Sequence, residues 1–433
     1  MPYSPGSNSR GESMSIRFAL SACIAYFGAG AALAAPVDVE AQFPRARQLY
    51  LHLHENPELS GAEVNTAARL AGELKSLGYA VTENFAGHGI VAVLRNGPGK
   101  TIMLRTELDA LPIEEKTGLP YASSVAGVSH MCGHDLHMAA LLGTAAVMAG
   151  NRANWRGTLM LVGQPAEETV SGAQAMVKAG LFEKFGRPDV MLALHVGNDQ
   201  PAGQVGVVAG SMAAGSDAFR VVLYGKGGHG SMPHTTIDPV LMAARTVEAL
   251  EMLPGREVKS GEVAVLSVGY IHAGTKNNVI PDDAEIGFTL RTYSADVRAK
   301  LVASISRVVN AQAQLAGATR APLIDHSHST PAVYNEPALA ARMRAVLEAA
   351  LGKDNVVTGV PQSASDDFSE FVGQGIPGFF MFLGGANAGQ LAEARRNGTL
   401  LPSNHSPQFA PDVDPALRTA MTGEVAMLRS LLQ

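Results

Sequence analysis

Between residues 39 and 77 the apolar positions recur every three or four residues, which predicts two amphipathic helices separated by the turn signals Asn56-Pro57 and Ser60-Gly61. Gly78-Tyr79 ends the second helix. Over residues 89–95 and 101–107 the pattern becomes two short apolar runs joined by Asn96-Gly97-Pro98-Gly99, the signature of two strands and a turn. The second run continues into LRTELDALP and leaves Glu107 and Asp109 at a strand end, where open α/β sheets place their chemistry. Residues 138–149 are alanine-rich and apolar on every side, which predicts a buried helix. Residues 157–162 and 189–196 read as buried strands, the first opening into GQPAEE and the second carrying His195 near its end.

A different rhythm starts near Met212. From residue 217 to about 324 the order is strand, helix, strand, strand, helix, strand: FRVVLYG, residues 237–253, VAVLSVGYI, AEIGFTLRT, residues 295–316 and APLID. That is the split βαβ, or ferredoxin-like, order. Sheet-forming sequence of the earlier kind resumes after Pro331, with helices from Pro337 and the strand GFFMFLG. The expected fold is therefore α/β, an open mixed sheet with flanking helices over residues 35–212 and 329–433, carrying an inserted α+β segment over residues 213–328.

The N-terminus changes the picture of where the protein works. Arg17 precedes an apolar run over residues 18–33, and Ala32-Leu33-Ala34 before Ala35-Pro36 fits a signal-peptidase site. Residues 1–34 are expected to be a signal peptide, with Met14 an alternative start and the bacterial periplasm the expected destination. The run is short and alanine-rich for a membrane anchor, and it continues past Cys23, which argues against a lipoprotein box at Leu20-Ser21-Ala22-Cys23. Cleavage removes Cys23 and leaves Cys132 as the sole thiol, so no internal disulfide can form. The 433-residue chain has 33 basic and 39 acidic groups, a net charge of −6, and no basic face that would suit nucleic acid.

The densest chemistry is HMCGHDLH, His130 to His137: three imidazoles, a thiol and a carboxylate, with Gly133 allowing a sharp bend. A thiolate two residues from a histidine suits zinc, cobalt, nickel or manganese. Coordination would also protect an unpaired cysteine in an oxidising compartment. In GQPAEE, Glu167 and Glu168 are adjacent carboxylates in an otherwise apolar segment, and like charges so placed raise each other's pKa unless a cation intervenes. One can bind metal while the other serves as general base. Each signal has a plainer reading alone: surface histidines, an acidic helix start, a satisfied core His195. GKGGHG, residues 225–230, matches the dinucleotide glycine pattern only formally, since no helix opens at its last glycine. No HExxH zinc helix and no GxSxG elbow occur.

Taken together, HENPELS from His54, DALP, HMCGHDLH, GQPAEE, the LHV strand, GKGGHGSMPH, NVIPD, SDDF and NHSPQF make the chain resemble the aminoacylase and carboxypeptidase superfamily of two-metal amidohydrolases. The nearest branch is that of hippurate hydrolase and the plant auxin-conjugate hydrolases. The resemblance implies a two-metal aminopeptidase-like catalytic domain with a lid or dimerisation domain. It implies two divalent ions (manganese, zinc, cobalt or nickel) held by Cys132, His134, Glu168, His195 and His405, and Glu167 as the base. It further implies that His229 steadies the oxyanion and approaches the substrate, from its own subunit or a neighbour in a homodimer, while Asn278 and Arg291 hold the substrate carboxylate. The expected reaction is hydrolysis of N-acyl amino acids to a carboxylic acid and a free amino acid. Carboxypeptidase or dipeptidase activity, and a non-catalytic periplasmic binding protein, are the alternatives. Departures from the pattern fall at Glu107, where aspartate is also common, at Asp366 in place of glutamate, at Asn404, and at Phe288 in place of glycine, where a changed pocket shape is expected.

Overall fold

The computed structural model describes residues 38–433, so the expected signal peptide lies outside the described residues. The main sheet has eight strands in the spatial order Ala80–Phe85, Gly89–Asn96, Gly157–Gln164, Thr101–Glu107, Val190–Pro201, Gly378–Ala386, Val205–Val207 and Val356–Thr358. The four strands from Gly157–Gln164 to Gly378–Ala386 run parallel, and antiparallel pairings flank them on both sides. Side chains alternate between two cores. Ile102, Leu104, Leu159, Leu161, Leu192 and Leu194 face one, while Met103, Met160, Val162, Met191 and Ala193 face the other. Burial on both faces is why these strands read as continuous apolar runs.

Phe43–Glu55, Val64–Ser76, His134–Gly150, Pro337–Leu351 and Val413–Leu431 cover the first face. Gly172–Lys178, Leu181–Phe185 and Phe368–Val372 cover the second. The helix His134–Gly150 is buried from His134 through Met148, which its apolar composition foretold. Its start was not foretold: Gly133 at φ +89° turns the chain, and HDLH forms the first helical turn instead of a loop. Helical spacing then puts His134 and His137 on one face, with ring centroids 5.6 Å apart.

Residues 215–330 carry a separate antiparallel sheet, ordered Ala264–Ala273, Asp283–Thr292, Gly215–Tyr224, Leu323–Thr330. Pro239–Glu251 and Ala295–Leu315 pack on one of its faces, with Met242, Leu301 and Ile305 over Val221, Ile286 and Leu290. Asp238 caps the first of these helices by accepting from Val240 N at 2.8 Å. Phe288 belongs to this core, 3% exposed and stacked on Phe219 at 4.9 Å, whereas Arg291, an odd number of residues along the strand, faces the other way. The expectation that Phe288 reshapes the pocket therefore does not hold; alternation along a strand sends it into the insert's interior.

One buried acid lies away from the site's edge. Glu424 on Val413–Leu431 is 2% exposed and accepts from Thr144 Oγ1 at 2.6 Å across the helix interface. Burial pushes its carboxyl up to about 8. The unfolded chain ionises this group near 4.5, so unfolding releases a proton between those values and stability falls as pH rises from about 4.5 to about 8. Glu424→Gln, which keeps the acceptor, is expected to stabilise the protein at pH 7 by on the order of 3 kcal/mol and to change little at pH 4. Denaturant unfolding at the two pH values measures the difference.

Candidate active site

The C-terminal ends of the parallel strands deliver Glu107, the turn after Gln164, and His195 to one crest of the sheet. The turn carrying Glu167 and Glu168 is held in a costly conformation. Ala166 and the β-branched Val170 both have φ of 52°, and a Cβ on Gly172 would lie 1.6 Å from the Pro165 carbonyl oxygen. Buried acids pin it: Ala166 N donates to Glu63 Oε1 at 2.8 Å and Glu168 N to Asp109 Oδ2 at 2.9 Å. Ser60 Oγ donates to the same Asp109 oxygen at 2.6 Å.

Around this turn the expected ligands converge. Cys132, His134 and His195 offer atoms within 4.8 Å of one another, as do Cys132, Glu168 and His405, so the thiol is common to two groups. Cys132 Sγ is 3.4 Å from His195 Nε2, and His405 Nε2 is 3.3 Å from Glu168 Oε2. His134 Nδ1 donates to the Asp109 carbonyl at 2.8 Å and His195 Nδ1 to the Val196 carbonyl at 2.9 Å, which turns both Nε2 atoms inward as lone-pair donors. His137 is excluded as a ligand: its Nδ1 donates to Glu107 at 2.9 Å and its Nε2 accepts from Val196 N at 3.0 Å. His405 has φ of 67°, and Asn404 Nδ2 fixes its loop by donating to the carbonyls of Cys132 at 2.9 Å and Val196 at 3.0 Å.

Two tests say that this donor set fits divalent cations. His134 Nε2 and Glu168 Oε1 are buried with no hydrogen-bond partner, a state that costs free energy unless something positive lies between them. Burial, with Glu168 beside it, pushes the Cys132 thiol well up, and a bound cation reverses that and keeps it a thiolate. A thiolate, imidazoles and a carboxylate suit borderline-soft ions.

The adjacent glutamates are driven apart. Burial, then the charges of Asp366 and Asp367, push Glu167 well above the ordinary carboxylate range. Burial acts upward on Glu168 too, but the His405 hydrogen bond and the charges of His134 and His405 together outweigh it and Glu168 is lowered. One acid is thus fitted to hold a proton and its neighbour to stay charged.

Sequence reasoning missed the residue beneath them. Arg105, with a fully buried side chain, contacts Glu107, reaches Asp366 at 3.0 Å and Asp367 at 3.2 Å, and donates to Gln164 Oε1 at 2.8 Å. Burial raises Glu107, yet Arg105 and His137 hold it well below the usual range. The detectable signal was an arginine inside the apolar strand TIMLRTE. Asp366, although one methylene shorter than glutamate, still meets the guanidinium. His54 of HENPELS also acquires a role: it bonds Asp135 at 2.7 Å and Glu115 at 3.3 Å. Burial lowers its pKa, but those two acids more than compensate and carry it to about 10.

Cys132, Glu167, Glu168, His195, His405 and Arg291 line a cavity of about 730 Å³, and Arg291 Nη1 donates to Ser365 Oγ at 2.9 Å. His134 lies fully buried behind it. His229 and Asn278 are not part of that wall. They occupy an exposed corner of the insert, where the strand Gly228–His229 pairs with Val279–Ile280 and Gly230 N donates to the Asn278 carbonyl at 2.9 Å. Ser231 N donates to His229 Nδ1 at 3.1 Å, so the neutral ring carries its hydrogen on Nε2.

A family model described as Peptidase family M20/M25/M40 matches residues 103–398. The chain belongs to that family. As an M20 protein it is a metal-dependent hydrolase of amide or peptide bonds. It is similar to Thermostable carboxypeptidase 2 of Saccharolobus solfataricus, 36% identical over 85% of this chain and 90% of that protein. It is likewise similar to IAA-amino acid hydrolase ILR1-like 4 of Arabidopsis thaliana, 36% identical over 82% of this chain and 79% of the relative. Among solved structures, a dinuclear metal-binding M20 peptidase of Bacillus subtilis superposes with a TM-score of 0.75 at 29% identity, covering 91% of this chain and 99% of that one.

Cation binding to the folded state alone stabilises it by about 3 kcal/mol at a hundredfold excess over Kd. Manganese or zinc added to chelated protein is expected to raise its thermal midpoint, and Glu168→Ala to lose most of that rise. Calorimetric scans with and without metal check this.

Proposed function

We propose that this M20 protein hydrolyses N-acyl amino acids, releasing a carboxylic acid and a free amino acid. The observation that carries the reading is Glu167, buried with a raised pKa, in one cavity with Arg291 and four groups of the cradle, Cys132, Glu168, His195 and His405, with His134 packed behind them. Cys132, His134, Glu168, His195 and His405 would hold the two cations. When bound, such a pair supplies Lewis acidity towards an amide carbonyl and lowers the pKa of a water.

Glu167 takes a proton from the attacking water as its oxygen bonds to the carbonyl carbon, and returns that proton to nitrogen as the C–N bond breaks. With cations held beside it, its raised pKa would fall and leave Glu167 ionised for the first step, and the remaining rise suits it to hold the proton between the two steps. Arg291 binds the free carboxylate of the amino-acid half; Ser365 occupies one of its donors and leaves the rest of the fork for a charge-assisted contact. His229 donates from Nε2 to the developing oxyanion, while Asn278 joins Arg291 at the substrate carboxylate. Because His229 and Asn278 stand outside the cavity wall, residues 213–328 act as a lid that swings in, or a second copy in a homodimer supplies the corner. A carboxypeptidase substrate presents the same free carboxylate, so a panel of N-acyl amino acids and dipeptides separates that reading. Export to the periplasm after cleavage at residue 34 completes the proposal, and N-terminal sequencing of secreted protein tests it.

Glu167→Ala is expected to retain metal and lose at least two orders of magnitude in kcat, as removal of a general base does. Near-normal turnover with full metal content would remove Glu167 from the role. Arg291→Ala is expected to raise KM strongly for N-acyl amino acids but not for the matching primary amides, which lack the carboxylate. Equal losses on both substrates would count against the assigned contact.

A further inference from the structure

The cavity is large for a compact conjugate. Allowing each non-hydrogen atom a water's share of liquid, roughly 30 Å³, its volume holds about two dozen of them, and benzoylglycine fills only about half. Arg291 comes from the inserted segment, whereas Phe380, Phe382, Leu391, Leu400 and Leu401 come from the main body and supply the cavity's apolar stretch, with Arg395 among them tied to the Asp199 carbonyl at 3.0 Å. On the reading above Arg291 takes the carboxylate of the amino-acid half, which leaves the apolar stretch for the acyl half. We propose that this stretch is an acyl-chain subsite and that the preferred substrates carry an extended alkyl acyl group in place of acetyl.

The subsite is built into the fold. Phe380, part of the second core, is 2% exposed, and Leu391 is 7% exposed. The Phe382 ring rests on Gly359, where a Cβ would approach its Cδ2 to 3.4 Å and Val208 Cγ2 to 2.9 Å. The floor therefore exists before substrate arrives, with no rearrangement to subtract from binding. Leu400 is 96% exposed. A lone exposed leucine means little, but this one continues the apolar wall at the cavity, where a long chain would cover it.

The test uses the metal-loaded protein and the N-acetyl, N-hexanoyl, N-dodecanoyl and N-benzoyl derivatives of one amino acid. Burial of each methylene is expected to raise kcat/KM by up to about fourfold along the alkyl series. Leu400→Asp and Phe382→Ala, each checked for native circular dichroism, are expected to lower the dodecanoyl-to-acetyl ratio by tenfold or more. A flat or falling alkyl series, or benzoyl exceeding dodecanoyl, overturns the subsite and leaves the N-acyl amino acid reading standing. A rising series whose slope is the same in both variants also overturns it. Hydrolysis of no member overturns the reading beneath it.

Discussion

Mutual repulsion among buried carboxylates is the constraint around which the main body is arranged. Glu107, Asp109, Glu167, Asp366 and Asp367 are all taken out of water at the crest of one sheet, with Glu168 beside them. Carboxylates packed so closely ionise together only when positive charge or hydrogen-bond donors stand among them. The fold answers in two layers. Arg105 stands among the lower acids and holds Glu107 ionised, although its single charge leaves Asp367 pushed up to about 7 by burial; the upper donors, from Cys132 to His405, are left facing one another with buried atoms unpartnered. Glu167, its pKa raised by burial and by Asp366 and Asp367, sits at the boundary between the layers.

Much of this was legible in the sequence, for identifiable reasons. Strands buried on both faces leave unbroken apolar runs, and the split βαβ order of the insert survives as a change of rhythm at Met212. The ligand-bearing strings could be assigned because thiol, imidazole and adjacent carboxylates seldom coincide. What stayed hidden lacked periodicity. Ala80–Phe85 is a mostly exposed edge strand of polar composition, and Val205–Val207 and Val356–Thr358 are too short to show a pattern. The helical start at His134 depended on a left-handed Gly133 that spacing does not reveal. Arg105 was overlooked because its partners at Asp366 and Asp367 are remote in sequence, and a contact of that kind is a property of the fold.

The insert carries the opposite lesson. Its elements and core follow from pattern, yet pattern said nothing of where its chemistry would point. Arg291 reaches the cavity because the sheet face opposite the helices looks that way, while Phe288, three residues earlier, is locked into the interior. His229, in an exposed corner, is chemically prepared by its Ser231 contact but spatially removed. On the proposed mechanism, bringing His229 to the cavity would depend on how the segment moves or assembles.

The clasp at Asn404 bears on how such a protein matures. By gripping the Cys132 carbonyl from 272 residues further along, it makes the cradle one of the last things the growing chain can finish. A nascent chain that ends before residue 404 carries Cys132, His134 and His195 but lacks both the clasp and His405. The complete donor set therefore exists only once synthesis has passed residue 405.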